Sequence, residues 1–218
     1  MITKALFVRL DVKHKRDKET EAFLSSAIPL VQQEPGTNAW FAVRFGRSDY
    51  GIFDVFPDKV SRDLHLTGDV AKALVANDLF DNAPDIKEIE ILGSKLPSNH
   101  LLPQPNTKGI FLTFKAKEGH ELEVEKFLKD AESFAIDEEQ TSAWFAFQMP
   151  GNIYGIFDVF PDNEARLRHL TGRIPTELIK HAFSLLGSFP DIDLFTVVAE
   201  NYNTSAAIGV DAGTAESP

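Results

Sequence analysis

The chain has 218 residues, with 22 Lys plus Arg against 33 Asp plus Glu and a formal net charge of −11. Apolar residues make up 43% and charged residues 25%, the globular share, which excludes a disordered or fibrous chain, and the acidic balance argues against nucleic-acid and anionic-membrane partners, which need a Lys/Arg face. Cysteine is absent, so disulfides, zinc–thiolate sites, iron–sulfur clusters and Cys nucleophiles are excluded.

In chain order, Leu6–Val12 alternates as a first strand. Asp17–Gln33 has the spacing of an amphipathic helix, with Phe23, Ala27 and Leu30 on one stripe and Pro29 set to kink or shorten it. Strands follow over Ala39–Phe45 and Tyr50–Phe56, joined by the short turn Gly46-Arg47-Ser48-Asp49. Asp58 is a fitting N-cap for a second helix, which Gly68 should break, and Ile86–Leu92 reads as a last strand. The Pro-rich stretch 95–108 is an extended spacer. The same order then recurs, with Phe127, Ala131 and Phe134 as the helical stripe, a break at Gly172 and a last strand over Ile192–Ala199. From 202 to 218 the chain is small, polar and aperiodic, and reads as a disordered tail.

Laid on itself, the sequence repeats. Tyr-Gly-Ile-Phe-Asp-Val-Phe-Pro-Asp stands at 50–58 and 154–162, Ala-Trp-Phe-Ala at 39–42 and 143–146, and His-Leu-Thr-Gly at 65–68 and 169–172, all offset by 104 residues. Identity holds at roughly a third of positions until about Asn82, far above chance. After that the second copy carries two extra residues, so Pro84-Asp85-Ile86 matches Pro190-Asp191-Ile192. The expected organisation is a repeat over 1–94, the linker 95–108, a second repeat over 109–201 and the tail 202–218. Each copy reads βαββαβ, the ferredoxin-like arrangement of an α+β fold. Its strands are apolar on both faces, so the face without helices needs a partner, and that partner is the other copy: two sheets packed together close a pseudo-twofold barrel. Met1–Leu10 holds too short an apolar run for a signal peptide, and no segment approaches the roughly 18–20 residues of a membrane span, so a cytoplasmic location is the expectation.

The nonapeptide followed by His-Leu-Thr-Gly resembles the antibiotic-biosynthesis monooxygenase superfamily of dimeric α+β barrels, closest to small bacterial members described as candidate quinol monooxygenases. The likeness covers about 5–94 and 109–200, and here two usual single domains look fused. The resemblance implies oxygen chemistry without metal or flavin on a flat phenolic or quinol substrate, hence no cofactor. Other branches degrade haem with a first-strand Asn, a Trp and an axial His. The first strands here contain no Asn, which counts against haem. A metal on His65 and Asp54 would have two protein ligands, short of a typical site, so no metal is expected.

Of six histidines only His65 and His169 match between copies, each near the end of a helix piece. Either could take the phenolic proton that must leave before electron transfer to oxygen, or simply satisfy the carbonyls of the broken helix end. Asp54 and Asp158 stand mid-strand, where a carboxylate is costly unless paired. They could orient those histidines, receive backbone N–H groups, or pair with Arg62 and Arg166, which also stand as substrate contacts. Trp40, Trp144, Tyr50 and Tyr154 could clamp a flat ring or be plain core. The function expected is a cofactor-independent monooxygenase for a small aromatic or quinol-like metabolite; the alternative is a non-catalytic ligand-binding or assembly barrel. Up to Gln104 the net charge is −2 and beyond it −9, so an anionic substrate should meet less repulsion at His65 than at His169.

Overall fold

The computed structural model describes residues 1–97 and 106–203. The first repeat runs β1 (Lys4–Asp11), α1 (Asp17–Ser26), α2 (Ile28–Val31), β2 (Ala39–Gly46), β3 (Asp49–Phe56), α3 (Lys59–Thr67), α4 (Asp69–Ala76) and β4 (Asp85–Lys95). The second runs β5 (Lys108–Lys115), α5 (Glu121–Asp137), β6 (Ala143–Met149), β7 (Ile153–Phe160), α6 (Asn163–Leu170), α7 (Arg173–Leu185) and β8 (Asp191–Tyr202). All strands pair antiparallel in a closed barrel of order β1-β3-β2-β8-β5-β7-β6-β4. No helix among the described residues is long and apolar enough to cross a membrane.

Local chemistry sets the element ends. Pro29 has no N–H to donate, and it sits in the first turn of α2, so the expected single helix is split at Ala27; the second copy lacks this proline and builds the unbroken 17-residue α5. The Asp58 and Asp162 side chains accept from the Ser61 and Ala165 amides at 2.8 Å, capping α3 and α6. Gly68 and Gly172 separate the helix pairs, and Pro175 falls in the first turn of α7, where it costs nothing. The helical stripe is rotated by one residue from its expected position. Leu24, Ala27 and Val31 are the buried set in the first copy and Val124, Leu128, Ala131 and Ala135 in the second. The larger Phe23, Phe127 and Phe134 lie on the flank, against Phe80, His181 and Arg173.

Strand parity divides each sheet cleanly. Phe41, Val43, Phe53, Val55 and their counterparts Phe145, Phe147, Phe157 and Val159 point into the barrel and fill it. Phe53 stacks on Phe157 across the pseudo-dyad at 4.2 Å with planes 7° apart. Glycine in Tyr-Gly-Ile is required by this filling: a Cβ on Gly155 would stand 2.4 Å from the Leu112 carbonyl and from the Phe147 ring. The alternate residues, Trp40, Tyr50 and Ile52 with Trp144, Tyr154 and Ile156, face the helices.

The two sheets join at their edges as well as face to face. β4 and β8 run beyond the expected Leu92 and Ala199, because their far halves pair with the other copy: Glu90–Lys95 along β6 and Thr196–Tyr202 along β2. Barrel closure leaves no unpaired edge. Tyr202 therefore belongs to β8, and the Asn203 side chain donates to the Glu34 and Thr37 carbonyls at 3.0 Å. The rest of the expected tail, 204–218, and of the linker, 98–105, lies outside the described residues.

Candidate functional site

Mid-β3, Asp54 shares a cross-strand row with Leu6 and Trp40 on the helix side of the sheet. His65 in the last turn of α3 brings Nε2 to 3.0 Å from Asp54 Oδ2, and its Nδ1 stands 2.5 Å from Glu34 Oε2. Thr37 Oγ1 donates to the same Glu34 oxygen at 3.1 Å. The second copy repeats the set: His169 Nδ1 lies 2.6 Å from Glu138 Oε2, Nε2 lies 3.5 Å from Asp158 Oδ2, and Thr141 Oγ1 donates to Glu138 at 3.0 Å. The sequence reading joined His to Asp but missed Glu34 and Glu138. Their signal was available, since Glu34/Glu138 and Thr37/Thr141 keep the 104-residue offset. Each repeat's last strand locks the other's glutamate loop: Lys95 Nζ donates to the Ala135 and Glu138 carbonyls as Asn203 does to those of Glu34 and Thr37.

Each imidazole is thus held between two carboxylates. Burial alone would push His65 toward neutrality, but Asp54 and then Glu34 outweigh it and raise its pKa to about 10; His169 is raised by the same balance. Both nitrogens of His65 face carboxylate oxygens, so at neutral pH its imidazolium has no lone pair with which to accept a proton. Asp158 is different. It is 3% exposed and burial raises its pKa to about 7 against the opposing pull of His169; its Oδ1, like that of Asp54, has no hydrogen-bond partner among the described residues. Burial also pushes Glu138 up, but its hydrogen bond from His169 prevails and holds it below the ordinary range.

Asp158 and His169 lie at a cavity of about 350 Å³ between the second sheet and its helices. The walls are apolar, with Ile110 and Ile156 on the strands, Ile174 and Leu178 on α7, and Phe189 and Ile192 at the lead into β8. A cavity of about 530 Å³ in the first repeat meets His65 from the opposite, Glu34 side and is lined by Gln33, Ser61 and Asp69 among others. Among the described residues no group of three or more His, Asp and Glu side chains is arranged to hold a metal ion.

Among solved structures, a candidate monooxygenase of Fusobacterium nucleatum is similar at a TM-score of 0.79 and 15% identity, over 92% of this chain and 94% of that one. A ferredoxin-fold protein of Listeria monocytogenes, described as related to antibiotic biosynthesis monooxygenases, matches at a TM-score of 0.54 and 8% identity, over 90% and 95% of the two chains. The chain shares the α+β barrel fold of these two structures. A protein of unknown function from Nitrosomonas europaea is 46% identical over 45% of this chain and 98% of its own, at a TM-score of 0.44. No protein-family model and no curated protein matches.

Within this barrel the remaining candidates stand away from the second-repeat cavity. Trp40 and Trp144 are at most 1% exposed, packed between sheet and helices. The Tyr50 hydroxyl is shared between Asp17 and Glu21 at 3.1 Å, and the Tyr154 hydroxyl accepts from Gln148 at 3.0 Å. Arg62 pairs with Glu88 at 2.6 Å, whereas Arg166 donates to the Gly109 and Phe195 carbonyls and to Asn163. Neither arginine forms an ion pair with Asp54 or Asp158; histidine takes that place in both copies.

Proposed function

We propose that the chain is a cofactor-independent monooxygenase for a small aromatic or quinol-like substrate, working from the second-repeat cavity with Asp158 as proton acceptor. The observation that carries this reading is the Asp158 carboxylate, buried at an apolar cavity with one oxygen unpartnered and its pKa raised to about 7. A base poised near the working pH is the most effective one. His169 acts as a positioning residue: its Nε2 faces Asp158 Oδ2 at 3.5 Å, leaving Oδ1 for the substrate hydroxyl. Loss of that proton turns a phenol into an electron-rich anion able to pass an electron to oxygen. The apolar walls lower the polarity around the reacting pair.

A second reading is a ligand-binding barrel without turnover. It is favoured by the carboxylate–imidazole–carboxylate bridge, which ties helix, glutamate loop and strand together in both copies and would serve as a strut whatever the cavity does. Oxygen consumption with a panel of hydroquinones and naphthols, in protein shown free of metal and flavin, separates the two. Uptake above the buffer rate with at least one compound supports the monooxygenase. Binding without uptake leaves the second reading.

A further inference from the structure

The duplicated sites differ along one seam, the line where the second helix pair of each repeat meets its last strand. In the first repeat Arg62, 3% exposed, staples α3 to β4 through Glu88 Oε2 at 2.6 Å, and Asp63 stands beside it on the same helix. The second repeat has leucine at both acidic positions: Leu167 matches Asp63 and Leu194 matches Glu88. Arg166, the counterpart of Arg62, has no carboxylate to meet on β8 at that position and turns to the Gly109 and Phe195 carbonyls at 3.3 Å. The seam of the second repeat is left apolar and borders the 350 Å³ cavity: Leu194 does not line it, but its cross-strand partner Ile110 does. Leu170, Ile179, Phe189 and Ile192 line that cavity while remaining exposed, Phe189 at 92%. Folding gains nothing from a phenylalanine left in water beside an open apolar cavity, so such a rim marks a binding function. The carboxylates diverge in the same sense. Asp54 is held at 3.0 Å by His65, while Asp158 stands 3.5 Å from His169.

We propose that the two copies have divided their labour: the second binds a small, apolar, uncharged molecule through this mouth, the homologous place in the first is a strut closed by Arg62–Glu88, and Leu194 in the position of Glu88 is the specificity-determining change. The proposal rests on the cavity being the ligand site of the proposed function. An anionic ligand is disfavoured, since the half beyond Gln104 carries −9 and Asp158 waits at the cavity. The sequence-based expectation of less repulsion at His65 concerns an anionic substrate and does not apply to an uncharged one.

The test is calorimetric titration of the full chain with 1-naphthol, an uncharged two-ring phenol. The wild-type chain should bind one equivalent. Ile192→Glu puts a charge into the mouth at a half-exposed position and should weaken binding by about tenfold or more; Ile86→Glu, the matching change in the first repeat, should leave it within about twofold. Leu194→Glu, which recreates the first repeat's pairing opposite Arg166, should also weaken binding. Two equal sites, or equal losses from Ile192→Glu and Ile86→Glu, would overturn the division of labour and leave the monooxygenase reading standing. One site with no oxygen uptake would support the division and remove the monooxygenase. No binding by the wild-type chain would overturn the ligand site and this proposal with it.

Discussion

Replacing His65 with Gln removes a cation from between two carboxylates. Asp54 is 1% exposed and already has one oxygen without a partner among the described residues, and Glu34 is mostly covered. Taking away the imidazolium leaves Asp54 buried and uncompensated, which costs about 3–5 kcal/mol. The proton linkage gives the same order. With a folded pKa of about 10 against 6.5 unfolded, the bridge contributes up to about 5 kcal/mol. Because the folded value is the higher one, that stability is complete below pH 6.5 and drains away as pH rises through 10. Urea denaturation of the wild-type chain and His65→Gln at pH 6, 8 and 10 should therefore show a gap of several kcal/mol at pH 6 that narrows steadily toward pH 10. Asp54→Asn/His65→Gln should recover part of the loss, since the buried charge goes with its partner. A loss below about 1 kcal/mol at pH 6, or a gap independent of pH, would refute the buried cation.

Three further changes test the frame that holds the site. Phe53→Ala empties a fully buried position stacked on Phe157 across the two copies; it should cost about 3–5 kcal/mol in urea denaturation, and a loss under about 1 kcal/mol would contradict a packed barrel interior. Asp58→Ala removes the cap accepting from the Ser61 amide and should cost about 1 kcal/mol, read as a fall in melting temperature. Asn203→Ala deletes two hydrogen bonds to the Glu34 loop; it should cost about 1–2 kcal/mol and speed hydrogen exchange at the Thr37 amide, while an unchanged exchange rate would mean that the loop holds without it.

What the sequence shows of this molecule follows the range of each interaction. The barrel is legible because its cause is repeated: one nonapeptide supplies inward Phe53 and Val55, helix-side Tyr50 and Ile52, the site carboxylate Asp54 and the cap Asp58, and then does so again 104 residues later. The His–Asp half of each bridge is legible for the same reason. Glu34 follows Gln32-Gln33 in a polar loop and has the pattern of surface; only the folded chain brings it against α3. The full lengths of β4 and β8 were hidden because their far halves are set by pairing with the other copy rather than by their own alternation. The cavity was hidden too, since Ile192 and Phe189 look like core residues until the fold leaves them exposed at its rim.

The most direct measurement of the central claim is the oxygen-uptake rate of Asp158→Asn beside Asp54→Asn, each metal- and flavin-free and each shown folded, with the hydroquinone or naphthol that the wild-type chain consumes fastest. Asn keeps the shape of the side chain and removes the base. The account predicts a loss of about 10²–10⁴-fold for Asp158→Asn and a rate within a few-fold of wild type for Asp54→Asn. Equal losses in the two variants, or an Asp158→Asn rate matching the wild-type chain, would contradict it.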